Sequence, residues 1–234
     1  MKQILTASII IAITSATAAA NDLRRLQDAV MQELGVSTGS NNTVEEWQSD
    51  LETSFAAVAD ARRAHVVGQV EMAKALNLVN QVDGILNPIG LSSNSAIPTP
   101  GNEEELNLSV DISKQLNELL IENLPSNFTI GYGTQRNHFQ QSLRHFQEAI
   151  ESLWPISSEI LAAIEELPSL IQSLRSPGDI RQMRSILQDG RVLADAVRYD
   201  METIPVSYAE MERIARRSEV SVAGFDSILS ELGL

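Results

Sequence analysis

The sequence predicts an all-α fold, an elongated antiparallel bundle of about six helices closing in a C-terminal αα-hairpin. Three observations carry this. Apolar residues recur at spacings of three and four along most of the chain, which aligns them on one helix face. Capping-box patterns stand where two of these runs begin: Thr43-Val44-Glu45-Glu46 and Ser207-Tyr208-Ala209-Glu210. Proline and glycine clusters stand where the runs end.

Residues 1–20 read as a secretory signal peptide. Lys2 is the charged start, Ile4 to Ile13 the apolar core, and Ala16-Thr17-Ala18 or Ala18-Ala19-Ala20 the small-residue cleavage site. The apolar run is shorter than the roughly 20 residues a bilayer requires, and no later stretch approaches that length. The expected mature chain, 21–234, is a single helical-bundle domain, exported and not transmembrane. It is placed outside the cell, at the cell wall, or in the periplasm of a bacterium.

Leu23, Leu26, Val30 and Leu34 make a short amphipathic helix ending at Gly35, behind Arg24-Arg25, which reads as a solvated face or a dibasic processing site. Val36 to Asn42 is a linker. The Thr43 box then opens the longest helix, with a seam through Trp47, Leu51, Ser54, Val58, Ala61, His65, Gly68, Met72, Ala75, Val79, Val82 and Leu86. One helix of that length spans roughly 60 Å. Apolar residues off the seam, such as Phe55, Val66 and Val70, mark it as central. Its middle is small (Ala57, Ala61, Ala64, Gly68), which either lets a neighbouring helix approach or leaves room for an apolar ligand. Asp83-Gly84 and Asn87-Pro88 end it, and 91–105 is a mobile loop. Ile112, Leu116, Leu119, Leu120 and Leu124 form the next helix, stopped by Pro125.

From Phe139 to Leu174 one 3,4 register runs through Pro155 and Pro168, predicting one kinked rod or collinear segments that close at Ser176-Pro177-Gly178. Residues 179–233 read as a hairpin about Pro205, because proline cannot donate to the preceding turn. One antiparallel register pairs Leu187 with Phe225, Gly190 with Val222 and Met201 with Met211. The same register brings Arg184, Arg191 and Arg198 opposite Asp226, Glu219 and Glu212. An anion or lipid-headgroup site is the competing reading of that arginine stripe.

The chain has 17 basic and 31 acidic residues and no cysteine. Cysteine-free sequence excludes disulfides, a thiolate nucleophile and cysteine metal sites. A net charge of −14 argues against nucleic acid as a partner. Asn41, Asn107 and Asn127 open glycosylation sequons. No HExxH, GxSxG, P-loop or dinucleotide motif occurs, so no catalytic residue, cofactor or metal is assigned. Thr129-Ile130-Gly131-Tyr132-Gly133 has the letters of a potassium filter without its membrane helices, and reads as a glycine turn. His138 and His145 lie two turns apart, about 10 Å, too far to share an ion directly. His65 on the central seam reads as a hydrogen-bonded core histidine, against a ligand contact or pH sensor.

The leader MKQILTASIIIAITSATAAA, the lack of cysteine, the acidic balance and the Leu/Ile/Ala/Ser-rich helices resemble the fungal hydrophobic surface-binding and cell-wall galactomannoprotein family. The resemblance covers the plan of the whole chain, without a shared motif and without the Ser/Thr-rich tail of some members. It implies an extracellular bundle that binds apolar surfaces or lipids. The expected function is accordingly a non-enzymatic binding protein for an apolar small molecule (a lipid or fatty acid) or hydrophobic surface. Its ligand is expected near Ala61, His65, Gly68, Gly190 and Ala194. The alternatives are a structural protein of the cell wall or a secreted effector binding a host protein or glycan, and, third, a hydrolase without a recognisable motif.

Overall fold

The structure, a computed structural model, describes residues 44–125, 127–174 and 176–220. The leader, the first short helix, Asn41 and the hairpin residues beyond 220 lie outside these. The chain divides into two compact units, Met1–Asp50 and Leu51–Leu234. The described part of the first is the helical run 44–50.

The fold is all-α, with five helices and no strand among the described residues: α1 Val44–Ala75, α2 Val79–Leu86, α3 Glu103–Asn123, α4 Thr134–Ser173 and α5 Pro177–Arg217. A 3₁₀ turn, Asn87–Ile89, follows α2. No helix of the described residues is long and apolar enough to cross a membrane.

From Val58 onward α1 is buried on nearly every face, as its off-seam apolar residues predict. Three apolar clusters surround it. Ala64 and Met72 join Phe139, Phe146 and Ile150 of α4 and Ile204, Tyr208 and Met211 of α5. Val58 and Ala61 join Leu153 and Ile164 of α4 and Leu193 and Val197 of α5. Val66 and Val70 join Val82 and Leu86 of α2 and Ile112 and Leu116 of α3.

The long central helix is not continuous to Leu86. It breaks at Asn77, which has φ 59°. The Leu78 N–H donates to the Ala73 carbonyl (2.9 Å) and the Asn77 N–H to Lys74 (3.0 Å), a Schellman closure. Asparagine tolerates the left-handed region better than other non-glycine residues, so the helix stops without glycine or proline. Val79, a seam position of the expected single helix, is consequently 36% exposed.

Residues 91–102 are irregular, and the helix predicted after them starts earlier, at Glu103. Asn102 caps it by accepting from the Glu105 N–H (2.9 Å), while the Glu105 carboxylate accepts from the Gly101 N–H (2.7 Å). The loop is tied down rather than loose: the Ser93 N–H donates to the Asp83 carboxylate (2.7 Å), and Ser93 is buried.

Helix α4 runs as one rod through Pro155 and Pro168, and its predicted seam from Phe139 to Leu167 is buried. The C-terminal hairpin is real, but its turn is elsewhere. Helix α5 continues through Pro205, so α4 and α5 are the two arms and the chain reverses between Ser173 and Pro177. Ser176 caps α5 by accepting from the Asp179 N–H (3.4 Å), and Pro177 takes the first turn, where its missing N–H costs nothing. Proline in a helix interior costs about 3 kcal/mol. Burial of Ile204 and Tyr208 on its two sides offsets this, at roughly 1.5–3 kcal/mol per large apolar side chain.

The proposed pairing across Pro205 therefore fails. Arg198 and Glu212 lie on one helix, about 21 Å apart along its axis. Arg198 instead meets Asp195 (3.3 Å) and Glu165 of α4 (3.8 Å), and Glu212 meets Arg216. Asp226 and Phe225 lie outside the described residues.

Helix α5 ends in a second Schellman closure, the Val220 N–H donating to Ala215 (3.0 Å), with Glu219 at φ 51°. An L-residue pays for its Cβ there. Replacing exposed Glu219 with Gly raises stability by about 0.5–1 kcal/mol, read as a higher urea midpoint at unchanged slope. A lower midpoint contradicts the assignment.

Candidate functional site

The five residues expected to line a ligand site are all buried in the core, on α1 and α5. Ala61 and Ala194 pack in one apolar cluster. Gly68 faces α4: a Cβ there would lie 2.6 Å from Cδ2 of Phe146, and the Ser142 hydroxyl donates to the Gly68 carbonyl (2.6 Å). Gly190 faces Ile164, whose Cγ1 would lie 3.2 Å from an added Cβ. The small residues thus admit neighbouring side chains, the close-packing reading of the sequence.

His65 belongs to a buried polar network. Asp200 of α5 forms an ion pair with Arg62 of α1, and its Oδ1 lies 2.6 Å from His65 Nδ1. All three are fully buried. Arg62 also donates from Nη2 to the Ser109 carbonyl of α3 (2.7 Å), and its guanidinium stands 5.3 Å from the centre of the Tyr199 ring. Below it, Gln69 and Ser113 exchange hydrogen bonds between α1 and α3, at 2.8 and 3.1 Å.

A 2.6 Å contact with a carboxylate requires the proton on Nδ1. Burial, the largest influence, pushes the His65 pKa down, more than Asp200 pulls it up. Burial alone would push Asp200 up, but Arg62 and then His65 outweigh it and hold the carboxyl below its usual range. The network is therefore an Arg⁺–Asp⁻ pair with a neutral imidazole. Among the described residues Nε2 of His65 meets no hydrogen-bond partner, and the ring packs edge-on against Phe146. Full burial shuts the His65–Asp200 pair off from solvent.

The sign of the pH dependence follows. Unfolding lets His65 take up a proton below its ordinary value of 6.5, while the folded state resists it. Stability therefore falls as pH drops from 7 towards 5, by up to about 1.4 kcal/mol per unit. Asp200, lowered in the fold, adds stability above the ordinary carboxyl value and loses it only at more acid pH. Urea midpoints at pH 7 and 5.5 measure the slope, and His65→Gln should flatten it; an unchanged slope contradicts a neutral buried imidazole.

The other histidines make surface and half-buried contacts. His138 Nδ1 lies 2.6 Å from Glu71 of α1, which also pairs with Lys74, and His145 lies 2.7 Å from Glu148. Among the described residues no group of three or more His, Asp or Glu side chains is placed to hold a metal. Asn107 is exposed within α3 and Asn127 is exposed in the loop before α4.

An opening does exist, one face away from the expected position. A cleft of about 480 Å³ lies between the C-terminal half of α3 and the stretch of α5 around Pro205. Met72 and Leu76 of α1 and Phe146 of α4 line it, with Leu120, Ile121 and Leu124 on the α3 side and Val206 and Met211 on the α5 side. Its polar residues are Asn117, Glu202, Thr203, Ser207, Glu210 and Arg213. Ile121 and Val206 are 69% and 70% exposed, large apolar side chains left in water beside the opening. The volume falls in the roughly 300–1,000 Å³ range of small-molecule sites.

Sequence reasoning missed this cleft. Of its residues, Leu120 and Leu124 stood in a predicted seam of α3 and Met72 in that of α1; nothing in the sequence joined them to Val206. Phe146 links the two regions, touching His65 and the Gly68 position as well as lining the cleft. No family model, curated protein or solved structure matches the chain.

Proposed function

We propose that the protein is an extracellular, non-enzymatic binding protein for an apolar small molecule, held in the cleft between α3 and α5. The observation that carries this is the cleft's apolar lining combined with the exposure of Ile121 and Val206. An exposed Ile or Val forgoes part of the roughly 1.5–3 kcal/mol that burial supplies, and an apolar occupant recovers it. Met72 and Met211 add adaptable walls, since an unbranched thioether side chain fits ligands of varied shape. The export leader and the resemblance to the fungal surface-binding family point to the same compartment and ligand class.

The test is titration with N-phenyl-1-naphthylamine, a neutral apolar fluorophore. Saturable binding with a stoichiometry near one is expected. Ile121→Glu or Val206→Glu, both at exposed positions, should weaken it about tenfold by removing apolar contact worth on the order of 1.4 kcal/mol. Binding that does not saturate, or that ignores both substitutions, contradicts the reading.

A further inference from the structure

The charges beside the cleft specify the head group of its occupant. Three charged residues line it: Glu202, Glu210 and Arg213. Arg213 is already engaged by Glu210 in an ion pair. Glu202 is exposed and forms no ion pair among the described residues. No lysine lines the cleft, and on the α3 side Glu118 and Glu122, three residues before and one after Ile121, are exposed. A carboxylate head group would find the one cation neutralised and would face Glu202 unscreened by any partner. An ammonium head group would find a carboxylate ready to pair, next to an apolar channel for its chain.

We infer that the cleft takes a cationic amphiphile, an alkyl chain with an amine or quaternary ammonium head, in preference to a fatty acid. This rests on the cleft being a ligand site, and it narrows the ligand class within that reading.

Displacement of bound N-phenyl-1-naphthylamine by three dodecyl compounds below their micelle concentrations tests it: dodecyltrimethylammonium, dodecyl maltoside and dodecanoate. In 0.15 M salt the Debye length is about 8 Å, so charges far from the cleft contribute little and adjacent ones dominate. The cation should displace the probe at about tenfold lower concentration than dodecanoate, with the maltoside between them. Glu202→Gln should narrow that ratio about threefold, the scale of one exposed pair. Glu202→Gln combined with Glu210→Gln leaves Arg213 as the lone charge of the cleft, and the preference should reverse towards dodecanoate.

If the probe binds but dodecanoate competes as well as the cation, the head-group inference is overturned while the cleft stands as an apolar site. A cation preference that persists in the double variant overturns the role of Glu202 and Glu210 and assigns the effect to Glu118 and Glu122 or to the net charge. If the probe does not bind saturably, the cleft reading fails and the inference with it.

Discussion

Asp200→Ala lowers stability by about 3–5 kcal/mol, the cost of leaving a buried charge without its partner. Asp200 is the only acid facing Arg62 among the described ion pairs, and both side chains are fully buried. Removing the carboxylate strands the guanidinium between α1 and α5 and takes away the acceptor of the His65 Nδ1–H. The Arg62 bonds to Ser109 on α3 remain, but they satisfy donors and do not balance charge. The sharper form of the prediction is the double substitution. Arg62→Met with Asp200→Leu removes both charges and should cost less than either single change, because a buried pair replaced by apolar groups is often near neutral. Urea denaturation of the two single variants and the double gives the coupling. Additive losses would show that the two side chains act independently.

Gly68→Ala is the second large effect, and its sign is opposite to the usual one. Glycine in a helix interior normally costs about 0.5–1 kcal/mol relative to alanine. Gly84 in α2 has nothing within 4 Å of an added Cβ, and there alanine should stabilise by about that amount. At Gly68 the same Cβ would meet Phe146 at 2.6 and 2.8 Å, with the Ser142 carbonyl oxygen at 3.4 Å on the same helix. Phe146 is buried, so relieving the contact means displacing its ring from the packed core towards the cleft it lines. Overpacking of this kind costs roughly 1–3 kcal/mol, so Gly68→Ala is expected to lose about 1–2 kcal/mol net and Gly68→Leu more. Phe146→Leu in the Gly68→Ala background should recover part of the loss. Because Phe146 also lines the cleft, Gly68→Leu should weaken probe binding without touching the ligand. A stabilising Gly68→Ala would contradict the contact between α1 and α4.

Much of this fold was legible in the sequence, and the misses have specific causes. The α4 seam predicted one kinked rod or collinear segments through Pro155 and Pro168, because apolar spacing keeps one phase across both, and the helix is a single one. The same evidence was present in α5: Met201, Ile204, Tyr208, Met211 and Ala215 continue the spacing of three and four straight through Pro205. There the register outweighs the proline, because tertiary burial of Ile204 and Tyr208 holds the helix together. The break at Asn77 carries no such signal, since the seam from Ala75 to Val79 and Val82 stays in phase and only a left-handed asparagine interrupts it.

The core role of His65 was legible from its seam position, but its partner is 135 residues away on another helix. Arg62, a charge beside a seam on an apolar helix, was the unused hint of a buried pair. The cleft was illegible because four helices contribute to it, and one side, around Val206, was assigned to a turn. At Gly68 the sequence allowed filled packing or a ligand; Phe146 fills the position, and the same ring lines the cleft.

The central claim is that an apolar ligand occupies the space between α3 and α5. Photolabelling the full chain with a dodecylamine carrying a terminal diazirine, followed by peptide mass spectrometry, tests it most directly. Adducts confined to the cleft lining, that is Met72, Leu76, Phe146 and residues 117–124 and 202–213, and suppressed by excess N-phenyl-1-naphthylamine, are the predicted result. Adducts spread along the outer faces of the helices, or unaffected by the competitor, would contradict it.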